Sequence, residues 1–151
     1  MAKWRNEDVT LEGLAGAYAA LGDETRLRLL AACRVERCVC QLVELIALAP
    51  STISKHLAVM RRAGLLEARR EGRWMHYRVP SAPGAGVAGL LGAALDAMEG
   101  SEVVRADAAR LADIDRIDPE ALCRLQRAGK SLVDVGCCDA DESGVMKEGV
   151  R

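Results

Sequence analysis

A mainly α fold carrying one small β-hairpin is what this sequence predicts, and three observations carry the prediction. Apolar residues recur at helical spacing in successive short segments before residue 64. Residues 65–79 switch to a period of two around Glu71-Gly72. Half of the 151 residues are hydrophobic, with no Phe, two Trp and two Tyr, so the core must be built mainly from Leu, Val, Ile and Ala.

Residues 8–21 predict an amphipathic helix with Leu11, Leu14, Ala15, Tyr18 and Leu21 on one stripe. Gly22 breaks it, and Asp23 caps a second helix running through Leu27, Leu30 and Ala31 to about Cys33. A polar bend over residues 34–37 leads into a short apolar helix over about 39–47. Pro50 takes the first position of a fourth helix, where its missing N–H costs nothing. Ile53, Leu57 and Met60 give that helix a buried stripe and leave Ser51, Thr52, Ser54, Lys55 and His56 on its other faces. Gly64 supplies the left-handed residue that ends it.

Strands over residues 65–70 and 73–79 form a hairpin tipped with Arg70, Gly72 and Arg73. Residues 80–84 are a linker, and Leu90, Leu91, Ala94, Leu95 and Met98 mark a helix ending near Gly100. Residues 103–114 continue as helix, and Asp118-Pro119-Glu120 opens another carrying Leu122, Cys123 and Leu125. The polar end, residues 139–151, is expected to be disordered. The division follows: residues 1–100 form the main domain, and residues 101–151 a partly helical C-terminal extension.

The net charge of −1 hides an asymmetry. Residues 50–80 hold seven basic side chains (Lys55, Arg61, Arg62, Arg69, Arg70, Arg73, Arg78) against Glu67 and Glu71, a local charge of +5. Residues 96–151 hold eight basic and thirteen acidic residues, or −5. Positive charge gathered on one unit is the footprint of a phosphate-binding surface. The first eight residues lack the apolar region of a secretory signal, and no apolar run is long enough to span a bilayer. The expectation is a cytoplasmic protein without membrane contact.

In that compartment six cysteines point to metal binding, redox chemistry or buried small residues rather than to a disulfide scaffold. No Cys-x-x-Cys pair occurs, which excludes the commonest zinc-ribbon and thioredoxin-like arrangements. Gly84-Ala85-Gly86-Val87-Ala88-Gly89 matches a dinucleotide-binding fingerprint, but too little chain follows for a second strand–helix unit. No nucleophile–base or paired-carboxylate arrangement stands out, so an enzyme is not expected.

Two helices, a short helix, a basic-faced helix and a charged hairpin make the winged helix-turn-helix order. The sequence strongly resembles the ArsR/SmtB family of metal-responsive repressors. The resemblance is carried by Leu21-Gly22-Asp23-Glu24-Thr25-Arg26-Leu27, Cys38-Val39-Cys40, Ser51-Thr52-Ile53-Ser54-Lys55-His56-Leu57 and Gly72-Arg73-Trp74-Met75-His76-Tyr77-Arg78. It covers about residues 8–100. It implies a winged helix-turn-helix with additional N- and C-terminal dimerisation helices, hence a homodimer bound to double-stranded operator DNA without need of a cofactor. The fourth helix would enter the major groove, with Ser51, Thr52, Ser54 and Lys55 toward bases and phosphates. His56 would donate to a phosphate or, equally, tie the helix to the hairpin. Arg70 and Arg73 would reach the neighbouring backbone or minor groove.

The same resemblance makes Cys38 and Cys40 the sensor, since thiolates are the ligands soft metals and metalloids choose. Two residues apart on a regular helix they would face nearly opposite sides, so ligation would have to bend the helix start. Cys-Val-Cys here also resembles the cadmium- and lead-sensing branch, but those relatives draw further thiolates from an N-terminal arm, and residues 1–32 hold none. The zinc branch uses His on the dimer helix, and residues 84–100 hold none. The resemblance therefore favours the arsenic branch, with arsenite or antimonite as inducer. Its members commonly carry a third Cys where this chain has Val43. Cys33 is the first candidate for the missing ligand, with the late cysteines behind it. Vicinal Cys137 and Cys138 are an alternative or auxiliary site, and Cys123 is expected in the core. The rival functions are a thiol redox switch, in which Cys33, Cys38 or Cys40 oxidises to a disulfide and Arg34 and Arg37 lower the nearby thiols, and a cadmium- or lead-responsive repressor of the same fold.

Overall fold

The computed structural model describes residues 10–132. The expected disorder of residues 139–151 and the pair Cys137 and Cys138 lie outside the described residues. Helices α1 (Leu11–Leu21) and α2 (Glu24–Ala32) are followed by a short strand β1 (Arg37–Cys38), then α3 (Val39–Ile46) and α4 (Pro50–Arg62). The hairpin β2 (Glu67–Glu71) and β3 (Trp74–Arg78) comes next, then α5 (Ala85–Met98), α6 (Glu102–Ile114) and α7 (Pro119–Arg127). The sheet is three-stranded and antiparallel in the order β1-β3-β2. No single helix among the described residues is long and apolar enough to cross a membrane.

Local chemistry accounts for the element boundaries. The Asp23 carboxylate accepts from Arg26 N–H at 3.0 Å, and that hydrogen bond holds its pKa below the usual carboxylate range. Pro50 opens α4, and Ile53, Leu57 and Met60 are fully buried, as the spacing predicted. α3 and α4 meet at 113° across residues 47–49, within the range of a helix-turn-helix. Ala47 makes that turn with φ +59°, a left-handed conformation that glycine adopts more readily. Gly72, at φ +61°, turns the hairpin between the paired residues Glu71 and Trp74.

Four expectations are corrected. α1 buries Ala17 and Ala20, whereas Leu11 and Tyr18 are exposed. Small residues let α1 approach its neighbours closely; Leu21 packs against the core and Leu14 is half-buried, while Leu11 and Tyr18 face away from this chain. The hairpin has a third strand, because Arg37 and Cys38 pair with Tyr77 and His76; two residues are too short to show a period in sequence. Residues 74–77 are all half-buried instead of alternating, since β3 is the central strand. The helix over residues 103–114 is a separate element with its own cap, Ser101 Oγ accepting from Val104 N–H at 3.4 Å.

The C-terminal helices share the core. Leu111, Ile114, Leu122, Leu125 and Leu132 join one apolar cluster with Leu29, Leu30, Leu42, Ile53 and Leu57. Two buried acids, absent from the sequence expectations, fasten α6 and the segment after α7 to α2 and α3. Arg28 donates to both carboxylate oxygens of Asp107 at 2.8 Å, a pairing that raises the Arg28 pKa. Glu44 Oε1 accepts from Leu132 N–H at 3.0 Å and lies 3.7 Å from Arg110.

Candidate nucleic-acid interface and thiol site

The polar face of α4 is presented as the sequence predicts. Ser51, Ser54 and Lys55 are exposed, and Thr52 is half-buried. His56 is half-buried, with Nδ1 3.5 Å from Arg26 Nη1, a contact that links α4 to α2. Arg26 also donates to the carbonyls of Ala20 and Ala19, at 2.6 and 3.0 Å. It therefore holds the C-terminal end of α1 against α4, a role that only three-dimensional proximity reveals.

The hairpin's cations are not equally available. Arg69 pairs with Glu36 and Glu71, which raises its own pKa and lowers that of Glu36, and Arg78 pairs with Glu67. Arg70 turns back onto the Gly72 carbonyl at 3.1 Å. Arg73 reaches Glu120 of α7 at 3.2 Å and lies 5.6 Å from the Trp74 ring centre. Lys55, Arg61 and Arg62 make no ion pair among the described residues. Among the described residues α4 thus carries cations with no acid partner, whereas on the hairpin Arg69, Arg73 and Arg78 share their charge with acids and Arg70 does not.

Cys38 and Cys40 straddle a helix boundary. Cys38 is the N-cap of α3 with extended backbone (φ −76°, ψ 149°), and Cys40 lies inside the first turn. The Cys38 sulfur accepts from Cys40 N–H at 3.3 Å, while Gln41 Oε1 accepts from Cys38 N–H at 3.0 Å. The reciprocal arrangement is that of a capping box, with sulfur in place of the usual hydroxyl. The pair is therefore not confined to opposite sides of one helix, because the first of them stands outside it. A ligand on Cys38 sulfur competes with the cap of α3.

Cys123 departs from its expected place in the core. It is half-buried on α7 and forms a disulfide with Cys40, with Cα atoms 5.8 Å apart. The expectation of a core Cys123 fails because α7 packs on α3 and brings together two residues 83 positions apart. The contact is reinforced on both sides: Gln126 Nε2 donates to the Cys40 carbonyl at 2.8 Å, and Asp115 accepts from Gln41 Nε2 at 3.1 Å and pairs with Arg37. Cys33 is fully buried, and burial pushes its thiol up to about 12. At neutral pH it is a protonated core residue, ill suited to be the third thiolate. Among the described residues no three His, Cys, Asp or Glu side chains form a group that could hold a metal ion.

A polar-faced α4 set at a helix-turn-helix angle behind α3, next to a basic hairpin, defines a winged-helix DNA-binding regulator. The family model for bacterial regulatory proteins of the arsR family matches residues 23–68. The arsenic resistance transcriptional regulator ArsR1 of Pseudomonas putida is 39% identical over 99 residues, covering 64% of this chain and 76% of that protein. The arsenical resistance operon repressor of Escherichia coli is 44% identical over 64 residues, 41% of this chain and 55% of that protein. A homodimeric winged helix-turn-helix domain from Mycobacterium bovis, of a possible ArsR-family regulator, superposes with TM-score 0.51 at 29% identity, over 68% of this chain and 94% of that one. The chain belongs to the ArsR family: it is a transcriptional repressor and not an enzyme.

Proposed function

We propose that the chain is a homodimeric repressor that leaves its operator when trivalent arsenic or antimony binds thiolates at the start of α3. The observation that carries this reading is the sulfur cap: Cys38 holds the first turn of α3 through the Cys40 N–H, and α3 is joined to α4 by only residues 47–49. Taking the Cys38 sulfur for ligation removes that cap, and the orientation of α4 in the major groove depends on α3. Thiolates are the soft ligands that a metalloid chooses. The names of the Pseudomonas putida and Escherichia coli relatives support arsenic as the inducer.

DNA contacts are assigned to Ser51, Thr52, Ser54, Lys55 and His56 in the major groove, and to Arg70 and Arg73 at the wing. Leu11 and Tyr18, exposed on α1, fit a second copy of the chain, in keeping with the homodimeric Mycobacterium bovis domain. Residues 1–100 are then the DNA-binding and dimerisation unit, and the extension braces α3. Cys137 and Cys138 are retained as an auxiliary thiol pair to be tested alongside.

The experiment is fluorescence anisotropy on a duplex from the protein's own upstream region, titrated with arsenite, antimonite, cadmium and zinc under reducing conditions. Arsenite and antimonite are expected to release the wild type, and Cys38→Ser and Cys40→Ser to stay bound. Release of both variants by arsenite would sink the reading. The Cys40–Cys123 disulfide favours a second reading, a thiol switch, in which peroxide alone joins the two sulfurs and releases DNA. Release by peroxide without metalloid, abolished in Cys123→Ser, distinguishes it.

A further inference from the structure

We infer that Cys123, on α7, supplies the third thiolate of the metalloid site, completing a trithiolate set with Cys38 and Cys40. The inference rests on the reading of Cys38 and Cys40 as the sensor and adds the residue that reading lacks. The structure brings Cys123 sulfur into covalent reach of Cys40 sulfur, on helices anchored to each other by Gln126 and by the α6–α7 residue Asp115. Two side chains that can share a bond can also share one bridging atom, since their Cα separation of 5.8 Å lies inside the span of two cysteine side chains. Cys33, the other described free cysteine besides Cys38, is fully buried and held protonated.

Cys38 sulfur is engaged with Cys40 N–H at 3.3 Å. Drawing it onto the same arsenic atom as Cys40 and Cys123 costs that hydrogen bond, so three-coordinate binding opens the cap of α3. Two-coordinate binding by Cys40 and Cys123 alone leaves the cap in place.

The chemistry balances without change of arsenic oxidation state. A dithiol reductant first opens the disulfide, giving up two electrons and two protons to the two sulfurs and becoming a disulfide itself. Arsenous acid then exchanges three As–OH bonds for three As–S bonds. Each thiol proton leaves with a hydroxyl as water, three waters in all.

The test uses the full-length reduced chain with arsenite and with phenylarsine oxide, which takes only two thiolates, read by near-ultraviolet thiolate–arsenic absorbance and by the count of thiols protected from a disulfide reagent. Cys123→Ser and Cys123→Ala are expected to weaken arsenite binding by at least about 10–100-fold, the loss typical of removing even a supporting group at a metal site. Both should keep phenylarsine oxide binding through Cys38 and Cys40, which shows that they fold. Arsenite should protect three thiols in the wild type and two in Cys123→Ser. Wild-type arsenite affinity in both Cys123 variants would overturn the inference and leave the sensor reading intact. Loss in Cys137→Ser/Cys138→Ser, with none in Cys123→Ser, would overturn it in favour of the tail. Undiminished binding in Cys38→Ser/Cys40→Ser would instead remove the sensor reading on which the inference stands.

Discussion

Helices α3 and α4 are joined by three residues and share one apolar core, α3 through Leu42, Val43, Leu45 and Ile46, yet the first turn of α3 is anchored by chemistry that α4 lacks. α4 is fixed from beneath by Ile53, Leu57 and Met60, all fully buried in the common core. The first turn of α3 is held from outside: by a sulfur cap, by the Gln126 amide, by Asp115 through Gln41, and by the bond from Cys40 to Cys123. Apolar packing is indifferent to metalloids and oxidants, whereas thiols and hydrogen bonds can be exchanged for other partners. The reading helix thus sits in the core by apolar packing, while the start of the helix that positions it is also held by bonds a ligand can compete for.

The sharpest way to break that contrast is to damage each anchor in turn. Leu57→Ala is expected to cost about 2–5 kcal/mol, from lost transfer energy and the cavity left behind. Gln126→Ala, removing one hydrogen bond to the Cys40 carbonyl, should cost only about 0.5–1.5 kcal/mol. Urea unfolding of the reduced protein measures both. Equal losses would mean that α3's polar anchors are as structural as α4's apolar ones, and the division of labour would fall.

The two anchors also differed in how legible they were in sequence. The α4 stripe follows from 3.6-residue periodicity, Pro50 and Gly64, all local signals, and the structure reproduces it. Asp23 as a cap and Cys38-Val39-Cys40 at a helix start were equally readable. The partners that hold α3 are separated from it by 74 to 88 residues (Asp115, Cys123, Gln126 and Leu132), and no local period encodes such contacts. Cys123 on an apolar stripe reads as core from sequence alone, because a half-buried cysteine facing another helix leaves the same pattern. The stripe on α1 misled for the opposite reason: periodicity shows that Leu11, Leu14 and Tyr18 share a face, not whether their own chain covers it.

A pH experiment separates the buried thiol from the sensor thiols. Cys33's folded value, about 12, lies above its ordinary 9.0. Its contribution to stability is therefore complete below pH 9.0 and is lost as pH rises toward 12. The urea midpoint of the reduced wild type should fall across that window, and Cys33→Ala should fall less steeply from a lower starting stability. The Cys33 thiol should also react with a disulfide reagent at pH 8 far more slowly than the half-buried Cys40 and Cys123 of the reduced protein. Rapid labelling of Cys33 would show that the corner between α2 and β1 opens, and would return it to the list of ligands.

At the α3–α4 joint, Ala47→Gly is expected to raise stability by about 0.5–1 kcal/mol, because the left-handed conformation costs alanine more than folding entropy costs glycine. The unfolding midpoint reports the gain. If the joint transmits the state of α3 to α4, the same change should also weaken the link between arsenite binding and DNA release, since a glycine there tolerates more than one angle.

The smallest energetic effect tests whether the extension acts on the wing as well as on α3. Glu120 and Arg73 are an exposed pair, worth about 0–1 kcal/mol to stability, so Glu120→Gln should leave the unfolding midpoint nearly unchanged. Its consequence for DNA should be larger than for folding, because it frees Arg73 to meet a phosphate and removes a negative charge from the DNA-facing side. Operator affinity should rise, and the slope of log affinity against log salt should steepen by up to about one phosphate's worth. Arg73→Ala should shallow the same slope and make Glu120→Gln silent. Since Glu120 lies one turn before Cys123 on α7, any movement of that helix toward or away from the thiol site must also stretch or relax its hold on the wing. A Glu120→Gln chain whose salt slope matches wild type would confine the extension's influence to α3.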